Sequence, residues 1–202
     1  FFYESKKIVL PNPIIFRKVE KSEADSKKDK INFLYVGQLT GQKGIDFLVK
    51  TIKNLNRQNW HLTIVGSGGL DQQLKKIIGK DQRFKMVGWV EPNKLFEYFR
   101  NADLTIVPSL CYENSPSVIY ESLVANVPVI ASDIGGISEI VKDNFNGFTF
   151  VQKKKKNLLE VLNHFLSHPE IINDLRKNCF VSVRNFSISN YIKKILSFIQ
   201  HT

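Results

Sequence analysis

From Ile31 onward, short apolar runs alternate with stretches of helical periodicity, and this alternation limits the possible folds more than any other feature of the chain. The apolar runs lie at 31–36 (INFLYV), 60–65 (WHLTIV), 84–87 (FKMV), 103–107 (DLTIV), 127–131 (VPVIA) and 147–151 (GFTFV). Helical patterns fall between them at about 44–57, about 70–78, 92–101, over the stretch that carries Glu121, and near 136–142. In the first of these, Ile45, Leu48, Val49, Ile52 and Leu55 form one stripe at i, i+3, i+4 and i+7 spacing, so one helical face turns to a core. Strands buried on both faces read as continuous apolar runs, and parallel strands need a crossover between them. The expected class is therefore α/β: a Rossmann-like, parallel, six-stranded sheet with helices on both faces. The last fifty residues read as helical, with Ile188, Ile192, Ile195 and Ile199 marking an amphipathic final segment.

With 202 residues and 43% hydrophobic content, the chain can bury a core and is most simply one domain with appendages. Residues 1–30 hold "KIVLPNPIIF" and then "RKVEKSEADSKKDK", a charged stretch without period that is expected to be an exposed connector entering from a longer protein. The body is expected over 31–185 and a terminal helix over 186–202. No apolar stretch approaches the roughly 20 residues of a membrane span, and "FFYESKK" lacks a signal-peptide core, so a cytoplasmic setting is expected. Cys111 and Cys179 form no framework or metal-ligand spacing and read as small buried thiols in a reducing compartment. His61, His164, His168 and His201 are scattered, and no metal site is expected. The net charge of +10 suits nucleic acid, anionic lipid or a phosphorylated substrate. The run Lys153 to Lys156 reads as a solvated loop or helix start without interleaved aromatics, which ranks nucleic acid below peripheral contact with an anionic membrane.

In open parallel sheets, ligands bind beyond the carboxyl ends of the strands. The segments there are "GQLTGQKG", "GSGG", "GWVEP", "PSLCYENSP" and "SDIGG". "GSGG" fails the dinucleotide-binding pattern, and Lys43 is followed by glycine rather than Ser or Thr, so neither a dinucleotide fingerprint nor a Walker loop is present. "CYENSPSVIYES" is more informative. Ser115 reads as a helix cap and Pro116 as the first helical residue, which puts Glu113 in the loop before the helix. Glu121 follows about five residues in, roughly 8 Å along the axis, among apolar neighbours in a helix expected to be largely buried. Free amides and the positive dipole end lie between the two acids, an arrangement that suits an anion flanked by two hydroxyl-bearing groups. A plainer reading stands beside it, in which Glu113 only complements the dipole and Glu121 pairs with a base elsewhere.

Taken in order, these loops resemble the C-terminal domain of the retaining glycosyltransferases of family 4, the group 1 glycosyl transferases with the GT-B architecture. The resemblance runs from about Pro11 to the end. Its most specific part is "PSLCYENSPSVIYESLVANVPVIASDIGGISEIV", with Glu113 and Glu121 as the family's E-x7-E motif; "VGQLTGQKG", "IVGSGG", "VGWVEPNKLFEYFRNADL" and "NGFTF" follow family order. The resemblance implies the C-terminal half of a GT-B fold that binds a nucleotide-diphosphate sugar. It implies Glu113 and Lys43 as catalytic residues, with Glu113 near the donor sugar and Lys43 on the diphosphate. It also implies Glu121 on the ribose hydroxyls and the helix start (Asn114, Ser115, Pro116, Ser117, Val118) near the phosphates. Gly37, Gln38, Gly66 and the base-contacting loop Gly88, Trp89 and Val90 complete the implied donor site. Gln38 stands where the family usually has arginine, so it can donate hydrogen bonds but supplies no charge. A sugar or lipid-linked acceptor would be held by a preceding domain, onto which the final helix would cross back. Two other readings are a catalytically silent sugar-nucleotide or phosphate-binding module, and a GT-B sugar-nucleotide epimerase or hydrolase.

Overall fold

A computed structural model of the chain describes residues 7, 8, 10, 12–14 and 29–200. Most of the expected connector over 1–30 lies outside the described residues. The six expected strands are all present: β1 (Ile31–Val36), β2 (Trp60–Val65), β3 (Phe84–Gly88), β4 (Leu104–Val107), β5 (Val129–Ser132) and β6 (Gly147–Phe150). They form one sheet in the order β3-β2-β1-β4-β5-β6, with every neighbouring pair parallel. The helices are α1 (Ile45–Ile52), α2 (Asp71–Ile78), α3 (Pro92–Arg100), α4 (Ser117–Val124), α5 (Ile137–Ile140), α6 (Lys155–Ser167), α7 (Ile171–Val183) and α8 (Ile188–Gln200).

Alternation along β1 sorts them onto both faces. Phe33 and Tyr35 point into a core with α1, α2 and α6, while Leu34 faces Phe99 of α3 on the other side. Farther along that second face, Ile119 and Leu123 of α4 and Cys179 and Val183 of α7 pack over Val129 and Ala131 of β5. Burial raises the Cys179 thiol to about 12, so this cysteine is a small core residue, as expected. Cys111 is only half-buried, which corrects the expectation for it.

Three boundaries differ from the periodicity. α1 stops at Ile52 rather than near 57, because the Asn54 side chain takes the carbonyl of Lys50 at 2.5 Å and competes with the next helical turn. Leu55 nevertheless stays 4% exposed, so the apolar stripe outlasts the helix. α5 spans only Ile137–Ile140 of the expected 136–142. α4 begins at Ser117: Pro116 has φ −69° and ψ 118°, so it flanks the helix instead of opening it, and Ser115 does not cap. The Ser115 hydroxyl donates to the Tyr120 hydroxyl at 2.9 Å instead.

Candidate functional site

The strand order reverses between β1 and β4, and that switch point is where an open parallel sheet leaves a crevice at its carboxyl edge. A cavity of ≈ 380 Å³ lies there. β1 and the segment after it contribute Tyr35, Gly37, Gln38 and Lys43; the segment after β4 contributes Pro108, Ser109, Glu113 and Pro116; and α4 contributes Ser117, Val118 and Glu121. The fold therefore brings together eight of the expected site residues, drawn from segments about 80 residues apart in the chain.

The turn that carries Lys43 is set by glycine. Residues Gly41–Lys43 form a single 3₁₀ turn, and Gly44 then takes φ 68°, a left-handed geometry that ends the turn and starts α1. A Cβ on Gly44 would stand 1.9 Å from the carbonyl oxygen of Pro108, so the loops after β1 and β4 touch backbone to backbone. The Leu110 amide also donates to the Gln42 carbonyl at 2.8 Å. Lys43 is thereby fixed next to the segment that carries Glu113.

The two meet directly: Lys43 Nζ donates to Glu113 Oε1 at 2.5 Å. Ser109 Oγ donates to the same oxygen at 3.0 Å. The Glu113 backbone is held from the next loop, where the Gly136 amide donates to its carbonyl at 2.9 Å and Gly135, at φ +60°, passes so close that a Cβ would lie 2.5 Å from that oxygen. Tyr35 stands behind this group and donates from its hydroxyl to the Gln38 carbonyl at 2.8 Å. Burial and, second, the Glu113 carboxylate push its ionisation far above the ordinary tyrosine range, so it stays a neutral donor that shapes the Gln38 loop.

Glu121 departs from expectation. It is exposed rather than ringed by apolar side chains, because the buried residues of α4 are Ile119, Tyr120, Ser122, Leu123 and Val124 while Ser117 and Glu121, one turn apart, form the open face. Four residues past Ser117, it lies about 6 Å along the axis from the helix start. A second cavity, lined by Pro13, Ile14, Leu95, Phe96 and Tyr120 among others, adjoins the first and shares Ser117 and Glu121 with it.

Six expected site residues lie outside the lining of the first cavity. Gly66 is a support: a Cβ there would meet the Gly37 carbonyl oxygen at 1.8 Å, and its amide donates to the Gly88 carbonyl at 2.8 Å. Trp89 is 67% exposed, while Val90 packs against the cluster around Phe99. Ser115 is engaged with Tyr120, and the Asn114 carbonyl backs onto Gly136. Conversely, Tyr35 and Ser109 join the site without having been picked out; a tyrosine closing an apolar strand and a serine after a proline carry no distinctive spacing. Among the described residues, no group of three or more His, Cys, Asp or Glu side chains could hold a metal ion, and no helix is long and apolar enough to cross a membrane.

A doubly wound sheet with a cavity at its switch point, lined by an ion pair and a helix start, defines an α/β domain of the class that binds ligands at the carboxyl edge of its strands. The family model for glycosyl transferases group 1 matches residues 16–180, and the chain belongs to that family. It is 29% identical to an uncharacterized glycosyltransferase of Methanocaldococcus jannaschii, over 91% of this chain and 52% of the relative. It is 33% identical to an amylovoran biosynthesis glycosyltransferase of Erwinia amylovora, over 72% of this chain and 40% of the relative. Among solved structures, HepE of Anabaena in complex with UDP-glucose superimposes with a TM-score of 0.75 at 19% identity, covering 86% of this chain and 50% of that one. The chain thus spans about half the length of the relatives it matches, and its fold is that of one half of a GT-B glycosyltransferase.

Proposed function

We propose that this chain is the donor-binding domain of a retaining glycosyltransferase, which moves a sugar from a nucleotide-diphosphate sugar to an acceptor hydroxyl. The observation that carries the reading is the convergence of Lys43, Glu113, the start of α4 and Glu121 on one cavity at the β1/β4 switch point. In this reading the diphosphate lies against the free amides at the start of α4, where the helix dipole favours an anion. Lys43 exchanges its bond to Glu113 for the phosphate oxygens and stabilises the charge that builds on the leaving diphosphate. Glu121 accepts hydrogen bonds from the ribose hydroxyls, and Glu113 faces the donor sugar. HepE, which shares the fold, was solved with UDP-glucose, and that supports a sugar nucleotide as the ligand class.

The acceptor, a sugar or lipid-linked saccharide, would be held by a preceding domain. Two features support such a domain. α8 leaves Ile188, Ile192, Leu196 and Ile199 between 41% and 63% exposed along one side. Ile14, on the entering segment, donates its amide to the Phe186 carbonyl at 2.7 Å, so the entry point and the root of α8 are side by side. The enzyme would work in the cytoplasm, peripheral to the inner membrane face. A silent binding module is the second reading, favoured by the uncharged Gln38: among the described residues Lys43 is the single basic residue lining the cavity, against two carboxylates.

Calorimetry with UDP, GDP, ADP and their sugars, run with and without chelator and beside a turnover assay, tests this. One nucleotide diphosphate is expected to bind, without a metal requirement because Lys43 and the helix amides neutralise it, and with no multiple turnover by this chain alone. Binding by none of them overturns the donor reading. A strict need for Mg²⁺ or Mn²⁺ overturns the metal-free part of it, and repeated sugar transfer by this chain overturns the dependence on a second domain.

A further inference from the structure

We propose that Lys153–Lys156, together with Val151, form a docking surface for an anionic lipid bilayer. All six strands run parallel, so every segment that follows a strand lies on the same edge of the sheet, and residues 151–154 after β6 share that edge with Lys43 and Glu113. β6 stands two strand positions from β4, roughly 10 Å along the edge. The lysines therefore flank the cavity at the outer end of the sheet without lining it.

All four lysines are exposed, and among the described residues none of them makes an ion pair. They are placed against local helix energetics. Lys154 to Lys156 occupy the positive end of α6, whose first turn holds no acidic residue, where cations repel both one another and the helix dipole. No ion pair among the described residues offsets that repulsion, whereas an anionic surface outside the domain would.

The backbone that carries the array is held by hydrogen bonds and by the core. The Val151 amide donates to Asn157 Oδ1 at 2.6 Å, the Lys154 amide donates to the Val151 carbonyl at 3.1 Å, and α6 is anchored by buried Leu158 and Leu162. Val151 itself is 54% exposed beside the charges, and Tyr112, on the segment after β4 at the same edge, is 87% exposed. Lysine ammonium groups with an aliphatic side chain beside them and a phenol farther along the same edge match a headgroup layer, which offers mobile phosphates over an apolar interior. The run has no arginine fork for one fixed phosphate and no stacked aromatics for nucleic acid. Docking here would turn the cavity edge toward the membrane surface.

The inference is independent of the donor reading, and co-sedimentation of this chain with vesicles tests it. Vesicles of about one-third phosphatidylglycerol in phosphatidylcholine are compared with pure phosphatidylcholine, and nucleotide binding is measured separately as a check on the site. The chain is expected to bind the anionic vesicles and to be released by salt. The variant with Lys153→Gln, Lys154→Gln, Lys155→Gln and Lys156→Gln is expected to lose about a hundredfold in partitioning, at roughly fivefold per lysine with imperfect additivity. A charge-matched control with Lys30→Gln, Lys76→Gln, Lys80→Gln and Lys85→Gln, all exposed and away from that edge, is expected to lose far less. The control variant should keep the parent's melting temperature, since its altered side chains are exposed, while the Lys153–Lys156 variant should melt at or slightly above it, since it loses lysines that repel the helix dipole; Val151→Ser should weaken partitioning at low salt. Equal losses in the two fourfold variants would reduce the effect to net charge and overturn the assignment. Release by soluble pyrophosphate at concentrations too low to act through ionic strength would also overturn it, in favour of a small-anion site.

Discussion

Gly44→Ala is expected to destabilise the domain by about 3 kcal/mol, a fall of roughly 6–12 °C in melting temperature for a chain of this size. Two effects add. The backbone at position 44 is left-handed, with φ 68°, which a side chain disfavours by roughly 1–2 kcal/mol. The new Cβ would also stand 1.9 Å from the Pro108 carbonyl oxygen and 2.8 Å from its carbon, so one of two backbone segments must move. Those segments carry Lys43 and lead to Glu113, so the variant is expected to lose nucleotide affinity along with stability. Gly41→Ala is the control, in the same turn: a Cβ there meets nothing within 4 Å, and a change under about 0.5 kcal/mol is expected. A thermal melt of the two variants decides it, and near-equal midpoints would mean that the contact between the two loops is not as described.

Lys43→Gln is expected to weaken binding of the nucleoside diphosphate by roughly ten- to hundredfold, the loss of charge-assisted hydrogen bonds to phosphate. Glu113→Gln is expected to act in the opposite direction on that same ligand, tightening it by up to about fivefold. The reason is the 2.5 Å pair: Glu113 holds the ammonium that a diphosphate bound here would need, and would place a negative charge beside that ligand. The gain is modest because the Lys43 side chain is 35% exposed, and ion pairs of that kind contribute about 1 kcal/mol or less. For the nucleotide sugar the gain should vanish or reverse, since Glu113 would then have lost its own contacts to the sugar. Calorimetry of the two variants with diphosphate and sugar donor reads both signs, and a Glu113→Gln variant that weakens both ligands equally would contradict the exchange of Lys43 between carboxylate and phosphate.

The sheet was legible because its central strands are largely buried on both faces and therefore read as mainly apolar runs between turn residues. INFLYV and WHLTIV became β1 and β2 with their expected bounds. Helix ends were less legible, since they depend on single side chains. Asn54 shortens α1, and Pro116, whose ring fits either the first helical position or the flank before it, took the flank. The position of Glu121 was misjudged for a different reason: five of eight α4 residues are buried, and nothing in their order says which side of so apolar a helix stays open. Lys43 and Glu113 could each be picked out as a site residue, but their direct pairing joins positions 70 apart and depends on how the loops after β1 and β4 meet at Gly44 and Pro108. Local pattern carries no information about such a contact.

The central claim, that the cavity between β1 and β4 holds the nucleotide diphosphate, is tested most directly by backbone amide chemical shifts recorded while the tightest-binding of UDP, GDP and ADP is added. The account predicts the largest shifts at Gly37 and Gln38, at Lys43 and Gly44, and at the amides of Ser117 to Ile119 where α4 begins. Shifts confined to residues outside this cavity, with those amides unmoved at saturation, would contradict it.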